Sequence, residues 1–224
     1  MELLKNCLYI NLDHRTDRLL SIHSEMKKMG IEPERFNAIK PKDGAIGCSM
    51  SHIKCLQLAK ERNWEHVFIC EDDIIFTDKD KFIDSITKFN DTMKDWDVCI
   101  VSGNNAPPYK EISDFCVKIQ NCRCTSGYIV KRHYYDTLLE NFRTGLKKFI
   151  REPTNGREYA IDVYWNQLQQ TDNWYLIIPL TVLQSEGYSD VENRVVDYKF
   201  LMQDLEKKWL VQQHYNNLIR NSHK

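Results

Sequence analysis

His66-Val67-Phe68-Ile69-Cys70-Glu71-Asp72-Asp73 is a short apolar run that ends in three adjacent carboxylates. The run 66–70 predicts a buried strand, with the carboxylates at its carboxyl end. Three neighbouring carboxylates repel one another and are costly to desolvate. A bound divalent cation removes that conflict, and a solvated acidic turn avoids it; the triplet alone leaves both readings open. Hard cations such as Mn²⁺ and Mg²⁺ take oxygen ligands, often with phosphate oxygens completing the shell.

On either side of this run, strand and helix signals alternate. Residues 7–12 predict a strand. Residues 13–29 predict a helix, because Leu19, Ile22, Met26 and Met29 recur at helical spacing and Gly30 stops it. A short strand follows at 35–39, then a turn through Pro41 to Gly47, then a helix at 48–62. Beyond the acidic triplet come a helix at 82–93 and a strand at 98–101. This β-α-β-α-β order predicts an α/β protein with a mostly parallel sheet and helices on both faces. Ligands of such sheets bind at the carboxyl ends of the strands. The second half is less regular. Antiparallel strands are expected at 115–119 and 122–130, helices at 131–142 and 158–170, a strand at 174–178 and a long terminal helix at 198–218. With no repeat and no linker, residues 1–224 read as a single domain.

The chain has 224 residues, 42% of them apolar and 28% charged, which excludes a disordered or fibrous chain. A net charge of −1 removes the usual basis for proposing a nucleic-acid partner. No run approaches the roughly 18 apolar residues of a membrane span. Met-Glu-Leu-Leu-Lys-Asn lacks the layout of a signal peptide, so a cytoplasmic location is expected. Of eight cysteines, Cys7, Cys48, Cys55, Cys70 and Cys99 lie in apolar runs and read as small hydrophobes. Cys116, Cys122 and Cys124 lack zinc-finger spacing.

No glycine-rich phosphate loop follows the first strand. Instead come Asn11, Asp13, Arg15, Asp17 and Arg18. They either pair with a base, ribose or phosphate, or cap a helix and form surface ion pairs. A nucleoside diphosphate held by metal at a sheet's carboxyl end points to glycosyl transfer, because the metal neutralises charge on the leaving diphosphate.

Four separated segments resemble glycosyltransferase family 25. Tyr9-Ile10-Asn11-Leu12-Asp13-His14-Arg15-Thr16-Asp17-Arg18 is similar to the family's V-x-N-L-x-x-R-x-D-R opening. Gly44-Ala45-Ile46-Gly47-Cys48-Ser49-Met50-Ser51-His52 resembles its G-x-I-G-C-x-x-S-H. Ile69-Cys70-Glu71-Asp72-Asp73-Ile74 resembles its L-E-D-D-like strand end. A looser fourth part runs from Gly127-Tyr128 through Ile161-Asp162 to Pro179, Gln184 and Ser189-Asp190. Its Gly-Tyr step lacks the family's intervening Ala.

The resemblance implies a GT-A-like fold, with a Rossmann-type nucleotide-binding half (1–103) merged with an acceptor-binding half (104–224). It implies a UDP-sugar donor, commonly UDP-galactose, with Mn²⁺ (or Mg²⁺), and inverting transfer to a hydroxyl of a glycan or hydroxylated protein. Glu71 and Asp73 are then the expected metal ligands, with Asp72 at the ribose. Asn11, Arg15, Arg18, Gly47, Ser51, His52 and Gln184 are expected around the nucleotide. Ser51 and His52 would open a helix whose free N–H groups suit an anion. Asp162 is the expected base, beside Tyr159, Tyr164 and Trp165 as sugar-stacking faces; Glu186 and Asp190 are reserves. His52 as a catalytic base competes with a capping or core histidine. The bland counterparts are a first-turn dipole partner for Asp162, a strand-end hydrogen bonder for Gln184, and helix capping with surface ion pairing for the arginines, while Trp96, Trp174 and Trp209 are left to the core. A catalytically silent nucleotide-sugar-binding module and a metal-dependent phosphotransferase are the competing classes. The intact acidic triplet weighs against the first and the missing D-x-D on strand one against the second.

Overall fold

The computed structural model describes residues 2–208. The chain runs β1 (Cys7–Asn11), α1 (Thr16–Met29), β2 (Glu34–Asn37), α2 (Gly44–Glu61), β3 (His66–Glu71), β4 (Ile74–Phe76), α3 (Lys79–Thr92), β5 (Val98–Asn105), β6 (Tyr109–Glu111), β7 (Cys116–Ile119) and β8 (Cys122–Lys131). It continues as α4 (Tyr135–Arg151), α5 (Gly156–Tyr159), α6 (Ile161–Tyr164), α7 (Asn166–Gln169), β9 (Trp174–Ile177), β10 (Val182–Gln184), β11 (Gly187–Ser189), β12 (Arg194–Val196) and α8 (Lys199–Gln203).

Eight strands form one sheet in the order β2-β1-β3-β8-β5-β9-β7-β6. Alternating side chains fill a core on each face. Cys7, Tyr9, Phe68, Cys70, Cys99 and Ile129 point toward α1 and α3. Leu8, Ile10, Val67, Ile69, Ile100 and Tyr128 point toward α2 and α4. Trp96 and Trp174 are buried. The expected boundary after residue 103 falls inside β5, so strands from both halves share one sheet.

The sheet is mixed rather than mostly parallel. β1 pairs in parallel with β2 and β3, and β5 with β9. Between these two parallel groups lies β8, antiparallel to both β3 and β5. Residues 116–119 and 122–131 are both strands, but β5 and β9 separate them. Helix starts also move. Asp13, His14 and Arg15 precede α1, which ends at Gly30 in a left-handed cap (φ 67°). Asp43 accepts from the N–H groups of Ala45 and Ile46, so α2 begins at Gly44 rather than at 48. Ser51 and His52 therefore lie two turns inside α2, away from its free N–H groups.

The helix expected at 158–170 is three short turns, interrupted at Ala160, whose ψ is 140°. Within the described residues the expected terminal helix is interrupted: α8 stops at Gln203, and Asp204 is extended. Trp209 and Tyr215 and the rest of the expected 198–218 helix beyond 208 lie outside the described residues.

Candidate active site

The carboxyl ends of β1 and β3, the start of α2 and the segment 189–193 enclose a cavity of about 600 Å³. Its walls carry Arg15, Arg18, Gly47, Ser51, His52, the whole Glu71–Asp73 triplet, Asp162, Gln184 and Asp190. Asn11 and Glu186 do not line it. Asn11 is buried behind the wall, where its side-chain amide donates to Asp72 Oδ2 at 2.7 Å. Glu186 faces Lys199 at 3.9 Å.

The triplet splits into two environments. Arg18 Nη1 donates to Asp72 Oδ1 at 2.8 Å and to Asp73 Oδ2 at 2.9 Å. Gln184 Nε2 donates to the same Asp73 oxygen at 3.0 Å, since pairing of β10 with β4 sets Gln184 beside Ile74. Asp73 Oδ1 is buried and has no hydrogen-bond partner. Burial, and then the nearby Glu71 charge, push the Asp73 carboxyl up to about 7. Burial also raises Asp72, against the pull of Arg18.

Glu71 instead meets α2 and β8. Thr125 donates its hydroxyl to Glu71 Oε1, and His52 Nε2 lies 3.4 Å from the same oxygen. Burial works to raise Glu71, but His52 and Thr125 win and hold its carboxyl below the usual value. His52 is fully buried, and its Nδ1 lies 2.8 Å from the Tyr128 hydroxyl. One turn earlier on α2 stands Cys48, whose thiol is pushed up by burial and by Glu71 and Asp162. Among the described residues, Cys48, His52 and Glu71 bring ligand atoms within 4.8 Å of one another.

Arg15 Nη1 donates to Asp190 Oδ2 at 2.6 Å and to Tyr188 O at 3.1 Å, and Arg18 Nη2 donates to Tyr188 O at 2.8 Å. Both arginines thus hold the β11–β12 hairpin over the cavity. Although partial burial opposes it, Arg15 and His14 keep the Asp190 carboxyl low. Asp162 Oδ2 accepts from the Cys124 N–H at 3.0 Å, and burial raises its carboxyl.

Several residues stand differently from expectation. The Ser51 hydroxyl donates to Gly47 O and accepts from the Ile39 N–H, so it ties α2 to the chain after β2. A Cβ at Gly47 would come within 2.5 Å of Ile39 O, and one at Gly44 within 2.7 Å of Asp190 O. These glycines permit chain-to-chain packing around the cavity. Trp165 is fully buried and donates to Cys122 O. Tyr159 and Tyr164 lie with Lys148 of α4. None of the three aromatics lines the cavity; Tyr198 does.

Lys40, Lys42, Arg123 and Thr125 are wall residues that no motif marked. Cys48, read as a small hydrophobe, is half-buried at the wall. The signal for it was its i,i+4 spacing from His52, which places both on one helix face. Among the described residues no helix is long and apolar enough to cross a membrane.

The fold is that of a GT-A-like α/β protein, and the comparisons with solved structures agree. Residues 43–99 match the model of glycosyltransferase family 25, described as an LPS biosynthesis protein. A candidate glycosyltransferase of Haemophilus influenzae is 43% identical over 53 residues, 24% of this chain and 19% of that protein. The chain therefore matches about a fifth of that relative's length. A197 from STIV superposes with a TM-score of 0.50 at 16% identity, covering 85% of this chain and 93% of its own. A glycosyltransferase involved in glycosylation of the major capsid of PBCV-1 gives 0.50 at 12% identity, covering 84% and 96%. At these identities the two structures share the fold. Over residues 43–99 the chain is similar to glycosyltransferase family 25.

Proposed function

We propose that this protein is a glycosyltransferase that moves a hexose, galactose by the family resemblance, from a UDP-sugar to a hydroxyl of a glycan or protein, with inversion. One observation carries the reading. The segment that matches the family model, 43–99, is also the segment that supplies Gly47, His52 and the Glu71–Asp73 triplet to the cavity.

The cavity has the charges this donor needs. Arg15, Arg18, Lys40 and Lys42 line it and would meet a diphosphate. The unpartnered, buried Asp73 Oδ1 suits a hard divalent cation, and an acidic neighbour at Glu71 adds to its pull. Glu71 and Asp73 would hold Mn²⁺ or Mg²⁺, which when bound neutralises the charge developing on the leaving UDP. Asp72, which accepts from Asn11 and Arg18, would accept from a ribose hydroxyl.

Asp162 serves as the base. The acceptor oxygen bonds to the anomeric carbon as the bond to UDP breaks, and the acceptor proton passes to Asp162. Its raised carboxyl favours taking that proton. Asp190 is a poorer base because Arg15 holds it low, and Glu186 lies off the cavity.

The test is release of UDP from a panel of UDP-sugars, with Mn²⁺ and with chelator, in the wild type and in Asp73→Ala. Metal-dependent release from one donor, lost in the variant, supports transfer and names the sugar. UDP and Mn²⁺ stabilising the protein without release, even with acceptors supplied, points to a silent binding module. The absence of both release and stabilisation overturns the nucleotide-sugar reading.

A further inference from the structure

We infer that Cys48, His52 and Glu71 form a second metal site in this cavity, selective for a borderline-soft dication of the Zn²⁺ type. Glu71 is shared with the Mn²⁺ or Mg²⁺ site of the proposed function, but uptake of metal by this cluster is read without any glycosyl transfer. Cys48 and His52 are four residues apart on α2 and share a face, while Glu71 ends β3 across from them. Their ligand atoms converge within 4.8 Å. A thiolate, an imidazole and a carboxylate are the donors that Zn²⁺ takes, whereas Mn²⁺ and Mg²⁺ prefer oxygens alone. Thiolate and carboxylate together carry two negative charges, which a dication balances. All three side chains line the cavity, so a fourth ligand would be water or a bound molecule. Three protein ligands and one open position is the layout of reactive zinc sites.

The surroundings also match. The Tyr128 hydroxyl, 2.8 Å from His52 Nδ1, is fully buried and fixes the ring. Ligating histidines are oriented in this way by a partner on the other ring nitrogen. Without metal, the His52 proton on Nε2 bridges to Glu71 Oε1, and Tyr128 donates to Nδ1. With metal, the ring proton sits on Nδ1 and is donated to the Tyr128 oxygen, leaving the Nε2 lone pair for the ion. Cys48 releases one proton to solvent as its sulfur binds. No bond is oxidised or reduced. Thr125 donates to the same Glu71 oxygen that faces His52. Asp72 and Asp73 are engaged by Arg18 and so belong to the other environment of the triplet.

The experiment is titration of the full chain, stripped with chelator and kept reduced, with Co²⁺ alone and then Zn²⁺ in competition. Stoichiometric uptake is expected, with a thiolate-to-cobalt absorption band that Zn²⁺ erases. The band should vanish in Cys48→Ser and His52→Gln and persist in Cys124→Ser and Asp73→Asn. Tyr128→Phe should weaken Zn²⁺ binding about 10-fold, the effect of losing an orienting partner. Absence of stoichiometric uptake by the wild type overturns the inference, which needs no variant to fold. So does a band that follows Cys124, or uptake lost in Asp73→Asn but kept in Cys48→Ser. UDP binding, measured on the same samples, reports separately on the nucleotide-sugar reading.

Discussion

Arg18 and Asp73 form a buried ion pair: Nη1 lies 2.9 Å from Oδ2, with side chains 16% and 2% exposed. The pair links the first helix to the acidic strand end, and Arg18 shares the same nitrogen with Asp72. Removing one partner of a buried pair leaves an uncompensated charge. Arg18→Ala is therefore expected to destabilise the fold by about 3 kcal/mol in chemical denaturation at neutral pH. The loss should shrink in mild acid, where Asp73 takes up a proton instead. An equal loss at both pH values would mean that packing of the Arg18 stem, not charge, is what α1 contributes.

Asp73 makes stability fall as pH rises. Its folded-state value, about 7, lies above the ordinary 3.8, so the native state holds a proton that the unfolded chain has lost. The stabilising difference is fully present below 3.8 and is lost as pH rises toward 7. Asp73→Asn, measured in chelator, should flatten this slope relative to wild type and be the more stable protein at the alkaline end. Denaturation midpoints of the two proteins across that window check it; parallel curves would show that Asp73 is ionised throughout.

Apart from β4 at 74–76, which no signal marked, strand and helix order through residue 101 was legible because the elements carry their own periodicity and stop signals, as Met26, Met29 and Gly30 do in α1. The position of β8 was not. Residues 122–131 read as a strand from their own composition, and only the distant partners at 66–70 and 98–105 place it between β3 and β5. The acidic triplet was legible as a unit, but its division was not, since it depends on Arg18 reaching from one side and His52 and Thr125 from the other. Placing the α2 start at Cys48 hid the Cys48–His52 face, and the break at Ala160 leaves Trp165 in the core and Tyr159 and Tyr164 beside Lys148, off the cavity.

Gly47 and Gly187 separate packing from permissiveness. A Cβ at Gly47 meets backbone oxygen Ile39 O at 2.5 Å, which cannot swing aside, whereas at Gly187 the nearest atom is Arg18 Nη2 at 4.0 Å. Gly47→Ala should lower stability by about 1–3 kcal/mol, the usual cost of overpacking. Gly187→Ala should leave it near wild type. Melting curves of both decide the matter, and a neutral Gly47→Ala would mean the turn at 39–41 gives way freely.

Asp162 and Glu186 are both carboxylates that the sequence offers as a base, and the fold treats them oppositely. Asp162 lines the cavity with a carboxyl raised by burial and anchored by the Cys124 N–H. Glu186 is outside the cavity, near Lys199. Once a donor and acceptor are in hand, Asp162→Asn should lower kcat by about 10²–10⁴-fold, the usual worth of a positioned base, with little change in donor KM. Glu186→Gln should stay near wild type. In the wild type, kcat should fall on the acid side as Asp162 is protonated, at a pH above the ordinary aspartate range because its carboxyl is raised. An Asp162→Asn enzyme that keeps its rate would move the base to another cavity carboxylate.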